Sequence, residues 1–373
     1  MVVTAGLITA FALLLALLFA KRLRFWKEQI LLKIAITDSN NAIAHEATRV
    51  QVLQKIATAE LDNATAHEVT RAQIQSAEQK LSDLEQQIRF SEEIDKIRPP
   101  ASMREQVAPN DRYEEYIQFL NSLDPPNEAA RRYLEIHLHR TARTLAMAPP
   151  PSTTGRALEL GAYMQMTPAL SCCLGYREVR AAYRGSPGPL HTQSASAGGK
   201  EVFRCDIDLF DAERDRFPYP DEHFDLVLAC ELIEHLVLDP MQMLLECRRV
   251  LAKAGALLIT TPNIASHSSL ARLLTASGNP QIYSLYPVAS SENTHVREYT
   301  PGELAQMLAA AAFRIEFLFT EKICGYNSDE WTGPLLSHLG LPTEFRGEQI
   351  YCLARKSGEP AVVERRPAFL YEQ

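Results

Sequence analysis

Apolar and polar positions follow different rhythms in different parts of the chain. Residues 2–20, VVTAGLITAFALLLALLFA, hold no charged residue. Nineteen such positions at ~1.5 Å each just cover the hydrocarbon core of a bilayer, which predicts a transmembrane anchor over residues 1–20. Lys21, Arg22, Arg24 and Lys27 follow at once, and no Lys or Arg precedes them. The positive-inside bias then places the rest of the chain in the cytoplasm. The alternative, a cleaved secretory leader, would need a basic start and a small-x-small cleavage site that are missing here. Residues 27–97 contain neither Gly nor Pro until Pro99-Pro100 ends the run, so a long helix is expected. NAIAHEATRVQV (41–52) matches NATAHEVTRAQI (63–74) in eight of twelve positions at an offset of 22 residues. Two elevens favour a nearly straight or slightly right-handed coiled coil. Ile74, Ala77, Leu81, Leu84 and Ile88 continue with heptad spacing. Residues 21–97 are therefore read as a coiled-coil stalk that makes a homo-oligomer. His45 and His67 hold equivalent repeat positions, better explained by a solvated or seam site than by a metal ladder.

Residues 98–150 read as a helical connector, with amphipathic spacing in RYEEYIQFLNSL and NEAARRYLEIHLHRTARTLAMA. From 151 the pattern changes to short apolar runs between helical stretches. RALELGA (156–162), EVRAAY (178–183), EVFRCDI (201–207), FDLVLA (224–229) and ALLITT (256–261) predict strands. PALSCCLGY, DPMQMLLECRRVLAKAG and TPGELAQMLAAAAF predict helices. Asp239-Pro240 supplies a cap and first-turn proline, Gly255 an expected helix end, and Thr300-Pro301-Gly302-Glu303 a capping box. Strand–helix alternation predicts an α/β fold, a mainly parallel sheet covered by helices on both faces, with ligands bound beyond the carboxyl ends of the strands. A tail of residues 358–373 carries no motif.

Composition narrows the function. A net charge of -8 argues against a nucleic-acid partner, whose binding surface would be basic. Seven cysteines, an odd number with no C-x-x-C pair, suit buried thiols in a reducing compartment. No G-x-G-x-x-G follows a strand, which counts against a nicotinamide enzyme.

The densest candidate chemistry is ELIEH at 231–235, directly after FDLVLAC. Glu231, Glu234 and His235 stand at i, i+3 and i+4, so one helical turn would aim all three into one cleft. Two neighbouring carboxylates repel by ~1 kcal/mol or more, and a cation, a proton or a polar substrate must offset that. The residues alone leave open a metal site, a metal-free active site with His235 or His295 as general base, and a purely structural role in the loop.

The stretch FPYPDEHFDLVLACELIEHLVLDPMQMLLECRRVLAKAGALLITTPN (217–263), together with HVREYTPGEL further on, resembles the class I S-adenosylmethionine-dependent methyltransferases, in their type 11/type 12-like branch. The resemblance covers about 155–357 and implies a Rossmann-like domain over 151–357, a mostly parallel seven-stranded sheet. It implies S-adenosylmethionine as cofactor, contacted by Glu159, Gly161 and Ala162 after the first strand, Tyr183, Asp206 or Asp208, and Cys230. Two departures stand out. The family's glycine-rich loop keeps only Gly161 in ELGAYMQ, and Tyr183 stands where the family has an acid for the ribose. The E-x-x-E-H pattern resembles two metal-using branches, the small-RNA 2′-O-methyltransferases and the ubiquinone-pathway O-methyltransferases. That implies a Mg²⁺ or Mn²⁺ site of Glu231, Glu234, His235 and His295, with His235, Glu234 and His295 catalytic. Similar chains accompany bacterial surface-glycan synthesis, which implies a sugar on a glycan or lipid-linked precursor as acceptor, with a quinone-precursor phenol second. The whole reads as a single-pass inner-membrane enzyme with its catalytic domain in the cytoplasm. The competing reading is a coiled-coil scaffold carrying an inactive methyltransferase fold. The long segment 264–294 offers His267, Tyr283 and Tyr286 as acceptor contacts.

Overall fold

The computed structural model describes residues 112–186, 191–281, 295–323, 327–357 and 363–371, with Gln75, Ser76, Glu78, Gln79 and Lys80 as short helical pieces. The chain divides into two compact units, Met1–Lys96 and Ile97–Gln373. The expected membrane segment, His45, His67, the stalk apart from those five residues, Tyr283 and Tyr286 all lie outside the described residues. Among the described residues no helix is long and apolar enough to cross a membrane.

The second unit is built on one mixed sheet in the order β3-β4-β2-β1-β5-β6-β8-β7. Its strands are β1 (Arg156–Leu160), β2 (Glu178–Tyr183), β3 (His191–Ala197), β4 (Lys200–Leu209), β5 (Phe224–Cys230), β6 (Leu251–Pro262), β7 (Phe313–Glu321) and β8 (Gln349–Lys356). The sheet has eight strands rather than the seven expected. The extra one is β3, a polar edge strand antiparallel to β4, with a bulge at Ala195/Ser196. The loop at Asp124 closes on it: the Asp124 N–H donates to Ser196 O at 2.7 Å, and the Asp124 carboxylate accepts from Gly199 N at 2.7 Å. β1, β2, β4, β5 and β6 run parallel, so their carboxyl ends share one edge of the sheet.

β5 shows why the central sequence was so readable. FDLVLAC is buried throughout. Phe224, Val227 and Ala229 enter one core with Met241, Leu244 and Leu308. Leu226, Leu228 and Cys230 enter the other with Leu145, Leu170 and Tyr116. From Leu226 onward, past the register shift at Phe224, period-2 alternation feeds two helical layers. One layer holds α4 (Pro240–Val250) and α6 (Pro301–Ala310), with α5 (His267–Leu274) between them in the chain. The other holds α1 (Tyr113–Ser122), α2 (Glu128–Met147) and α3 (Thr167–Cys172). Asp239 caps α4 ahead of Pro240, and Thr300 and Glu303 form the full capping box on α6. The helix expected to reach Gly255 stops at Val250. Gly255 instead lies inside β6, where a Cβ would meet Ala252 O at 2.9 Å and Phe224 O at 3.1 Å. Ala254 beside it is left-handed, φ 60°. The glycine therefore serves a close strand crossing where the β5–β6 register shifts.

Asp225 fixes the approach to β1. Its carboxylate accepts from the backbone N–H groups of Ser152, Thr153, Thr154 and Gly155 at 2.8–3.1 Å. Burial opposes its ionisation, yet these N–H groups hold the carboxyl below its usual range. Asp225→Asn keeps the shape and removes the charge. We expect it to cost about 2 kcal/mol, read as a lower denaturant midpoint at unchanged slope.

Candidate functional site

The carboxyl ends of β1, β2, β4 and β5 set the candidate residues side by side. After β1 the chain turns at Gly161, φ 67°, and the Ala162 N–H donates to Ala182 O at 3.1 Å, which draws the turn onto β2. Glu159, one residue inside β1, is only 3% exposed. Burial pushes its carboxyl up to about 7, partly offset by a hydrogen bond from Thr167 Oγ1. The family position for a charged acid thus holds one that is half neutral near pH 7 here. Cys230 ends β5, buried, its thiol pushed up by that burial.

The acids on β4 are used differently from the expectation. Asp208 is buried and grips Arg180, Nη2 at 2.6 Å and Nε at 3.0 Å, while Tyr219 Oη donates to it at 2.6 Å. Asp206 accepts from Thr192 Oγ1 at 2.8 Å and from Arg180 at 3.2 Å. Both are strand residues tied into a cross-sheet network. The acid that stands just past the end of β4 is Asp211. Phe210 N donates to Tyr183 O at 3.2 Å and sets this exit beside the end of β2. Sequence reasoning passed over Asp211, although LFDAERDRFPYPD places it directly after the strand.

ELIEH does not form the helical turn that its spacing suggests. Glu231 is left-handed, φ 49°, and only Ile233–His235 makes a short 3-10 turn. The break sends the side chain of Glu231 away from those of Glu234 and His235. Glu231 turns away to an ion pair with Arg140 of α2. Its Oε1 accepts from Thr260 Oγ1 at 2.8 Å and Gln349 Nε2 at 2.7 Å. It is therefore not part of the group that could hold a cation. That group is Glu234, His235 and His295, with one ligand atom from each lying within 4.8 Å of the others. Glu234 is fully buried. Its Oε2 accepts from Thr261 Oγ1 at 2.9 Å, and its Oε1 has no hydrogen-bond partner. Burial, then the charge of Glu231, pushes its carboxyl well above the usual range. His235 Nε2 lies 3.9 Å from that free oxygen. The His235 and His295 rings meet edge to face at 5.0 Å.

Two partners here were not foreseen. Glu298 is bonded to His295 Nδ1 at 3.0 Å, which leaves Nε2 as the ring nitrogen without that bond. Its signal was the i+3 spacing in HVREYT. The other is α2, which brings Arg140, Tyr133 and His137 to the site. Burial, then the Arg140 charge, lowers His137 to about 4, so its ring is neutral at pH 7. His267 lies elsewhere, hydrogen-bonded to Thr332 at 2.8 Å.

Residues 181–259 match the family model described as a methyltransferase domain. A "Probable S-adenosylmethionine-dependent methyltransferase" of Mycolicibacterium smegmatis is 30% identical over 110 residues, covering 30% of this chain and 36% of that protein. The chain thus spans about a third of this curated relative. Among solved structures, a methyltransferase of Thermotoga maritima aligns at 16% identity and TM-score 0.38, covering 66% of this chain and 100% of that one. One from Archaeoglobus fulgidus aligns at 16% identity and TM-score 0.35, covering 66% and 97%. The matched segment runs from the end of β2 into β6, through ELIEH itself, and the sheet around it is Rossmann-like. Residues 181–259 are thus similar to a methyltransferase domain.

Proposed function

We propose that the protein transfers a methyl group from S-adenosylmethionine to a hydroxyl of a small molecule, a sugar of a glycan or lipid-linked precursor, at the cytoplasmic face of the membrane. The observation that carries this reading is the Glu298–His295–His235 arrangement beside buried Glu234, at the strand ends where such a domain holds its cofactor. Bound S-adenosylmethionine supplies an electrophilic methyl on a sulfonium. Gly161, Tyr183 and Asp211 line the open strand ends that suit it. Glu298 accepts the Nδ1 proton of His295 and orients the ring. Nε2 of His295 then takes the proton of the acceptor hydroxyl as its oxygen attacks. His235 packs against that ring and fixes its plane.

A divalent cation has a supporting observation of its own. The unpartnered Oε1 of Glu234, with His235 and His295, offers three ligand atoms in one cluster. Glu298, bonded to Nδ1, would orient the His295 ring toward the ion. In that case His295 would be a ligand rather than the base, and Mg²⁺ or Mn²⁺ held there would order two neighbouring hydroxyls of the acceptor and ease the loss of the proton. The apolar run 2–20, the basic cluster 21–27 and the repeat at 41–74 support an anchored, self-associating enzyme. An inactive scaffold would take up no cofactor.

Calorimetric titration of the full chain with S-adenosylmethionine, with Mn²⁺ and with chelator, tests binding. Methyl-labelled cofactor with a panel of hydroxylated acceptors tests transfer. We expect His295→Ala to bind cofactor as before and to lose transfer by about 10²-fold or more. No cofactor uptake by the wild type, or full transfer by the variant, overturns the reading.

A further inference from the structure

Three tyrosines from three separate elements converge over the carboxyl ends of β1 and β2. Tyr133 comes from α2, Tyr163 from the loop after β1, and Tyr183 is the last residue of β2. The rings of Tyr163 and Tyr183 meet edge to face at 5.6 Å, and their hydroxyls are 3.3 Å apart. The ring of Tyr133 lies 6.2 Å from that of Tyr163, and its hydroxyl accepts from Arg140 Nη2 at 3.0 Å. Core packing does not account for the row, because Tyr163 at its centre is 56% exposed.

Two of these residues are the departures noted in the sequence. Tyr163 stands at a family glycine and Tyr183 at the family's ribose acid. In the structure the two departures touch. The phenol pair stands where a carboxylate and an open backbone loop would have been, so the lost contacts and the gained ring belong to one change. Beside it the exit of β4 carries Asp211, whose Oδ1 accepts from Glu213 N at 2.9 Å and whose Oδ2 has only the distant Arg184 and Arg214, at 3.9 and 3.8 Å. Aromatic faces, neutral hydroxyls and one carboxylate in a row suit a flat ring bearing an exocyclic amine and a hydroxylated sugar.

The geometry points to Tyr133, Tyr163 and Tyr183 as a binding wall for a purine nucleoside, a wall that replaces glycine-loop and carboxylate recognition. It rests on the cofactor reading given above. The base or sugar stacks on the exposed face of Tyr163, which Tyr133 and Tyr183 brace. The phenol hydroxyls meet the sugar hydroxyls, and Asp211 accepts from the amine.

The test is calorimetry and tyrosine fluorescence on the full chain, with S-adenosylhomocysteine and with free adenosine. Tyr163→Ala is expected to weaken both ligands roughly tenfold, the scale of one base–aromatic stack. Tyr163→Phe keeps the face and should stay near the wild type. Tyr163→Leu keeps the bulk without the π face and should behave like the alanine variant. Quenching of tyrosine emission on binding is expected in the wild type and reduced in Tyr163→Leu. Unchanged or tighter binding in both Tyr163→Ala and Tyr163→Leu overturns the wall while leaving the cofactor reading intact. A wild type that binds neither ligand overturns both.

Discussion

Arg140→Met is expected to destabilise the protein by about 3–5 kcal/mol, the cost of stranding one partner of a buried ion pair. The side chains of Arg140 and Glu231 are only 12% and 15% exposed. Thr260 and Gln349 remain on Glu231 in the variant, but neither brings a positive charge. The loss should fall on the site as well. Glu231 holds a left-handed conformation unusual for a residue with a side chain, and its three partners hold it there. Releasing it frees the turn that places His235 against His295. Arg140→Lys retains charge without the fork and should recover part of the stability. Arg140→Met with Glu231→Met removes both charges and should cost less than the single change. Urea unfolding of the three variants checks this. A single variant within about 1 kcal/mol of wild type would show that the pair is solvated.

Glu159→Gln should make the protein more stable at pH 8 and leave it little changed at pH 4. The folded carboxyl sits at about 7, above the ~4.3 of an unfolded glutamate. A raised carboxyl contributes stability that is complete below the unfolded value and is lost as pH rises through the folded one. At ~1.4 kcal/mol per pH unit between those values the loss approaches about 4 kcal/mol. Glutamine never ionises, still accepts from Thr167, and escapes that loss. Glu234, also buried and raised, leaves a residual slope in both proteins, so the difference between the two curves is the quantity to measure. Parallel curves would mean that Glu159 ionises without penalty.

What was legible follows from burial. FDLVLAC, Asp239-Pro240 and Thr300–Glu303 announce themselves because a strand buried on both faces must be apolar and a helix start must be capped. β3 left no such trace: HTQSASA is an edge strand, mostly exposed, with no apolar run to mark it. The site was half legible. The titratable types in ELIEH were visible, but their directions were not, because a left-handed Glu231 cannot be read from i, i+3, i+4 spacing. Arg140 was hidden by distance, since 91 residues separate it from Glu231. The partners of Asp206 and Asp208, Arg180 and Tyr219, were likewise not visible in the sequence.

The bulged margin at β3 has a consequence for behaviour in a crowded cell. A sheet that ends in a straight, unpaired strand is a template on which another chain can add. Here the outermost strand is short, polar and kinked at Ala195/Ser196, and Asp124 already occupies the Ser196 carbonyl and the turn at Gly199. At that end the bulge and Asp124 leave less free backbone for a stranger to pair with, so strand addition from another chain is discouraged there.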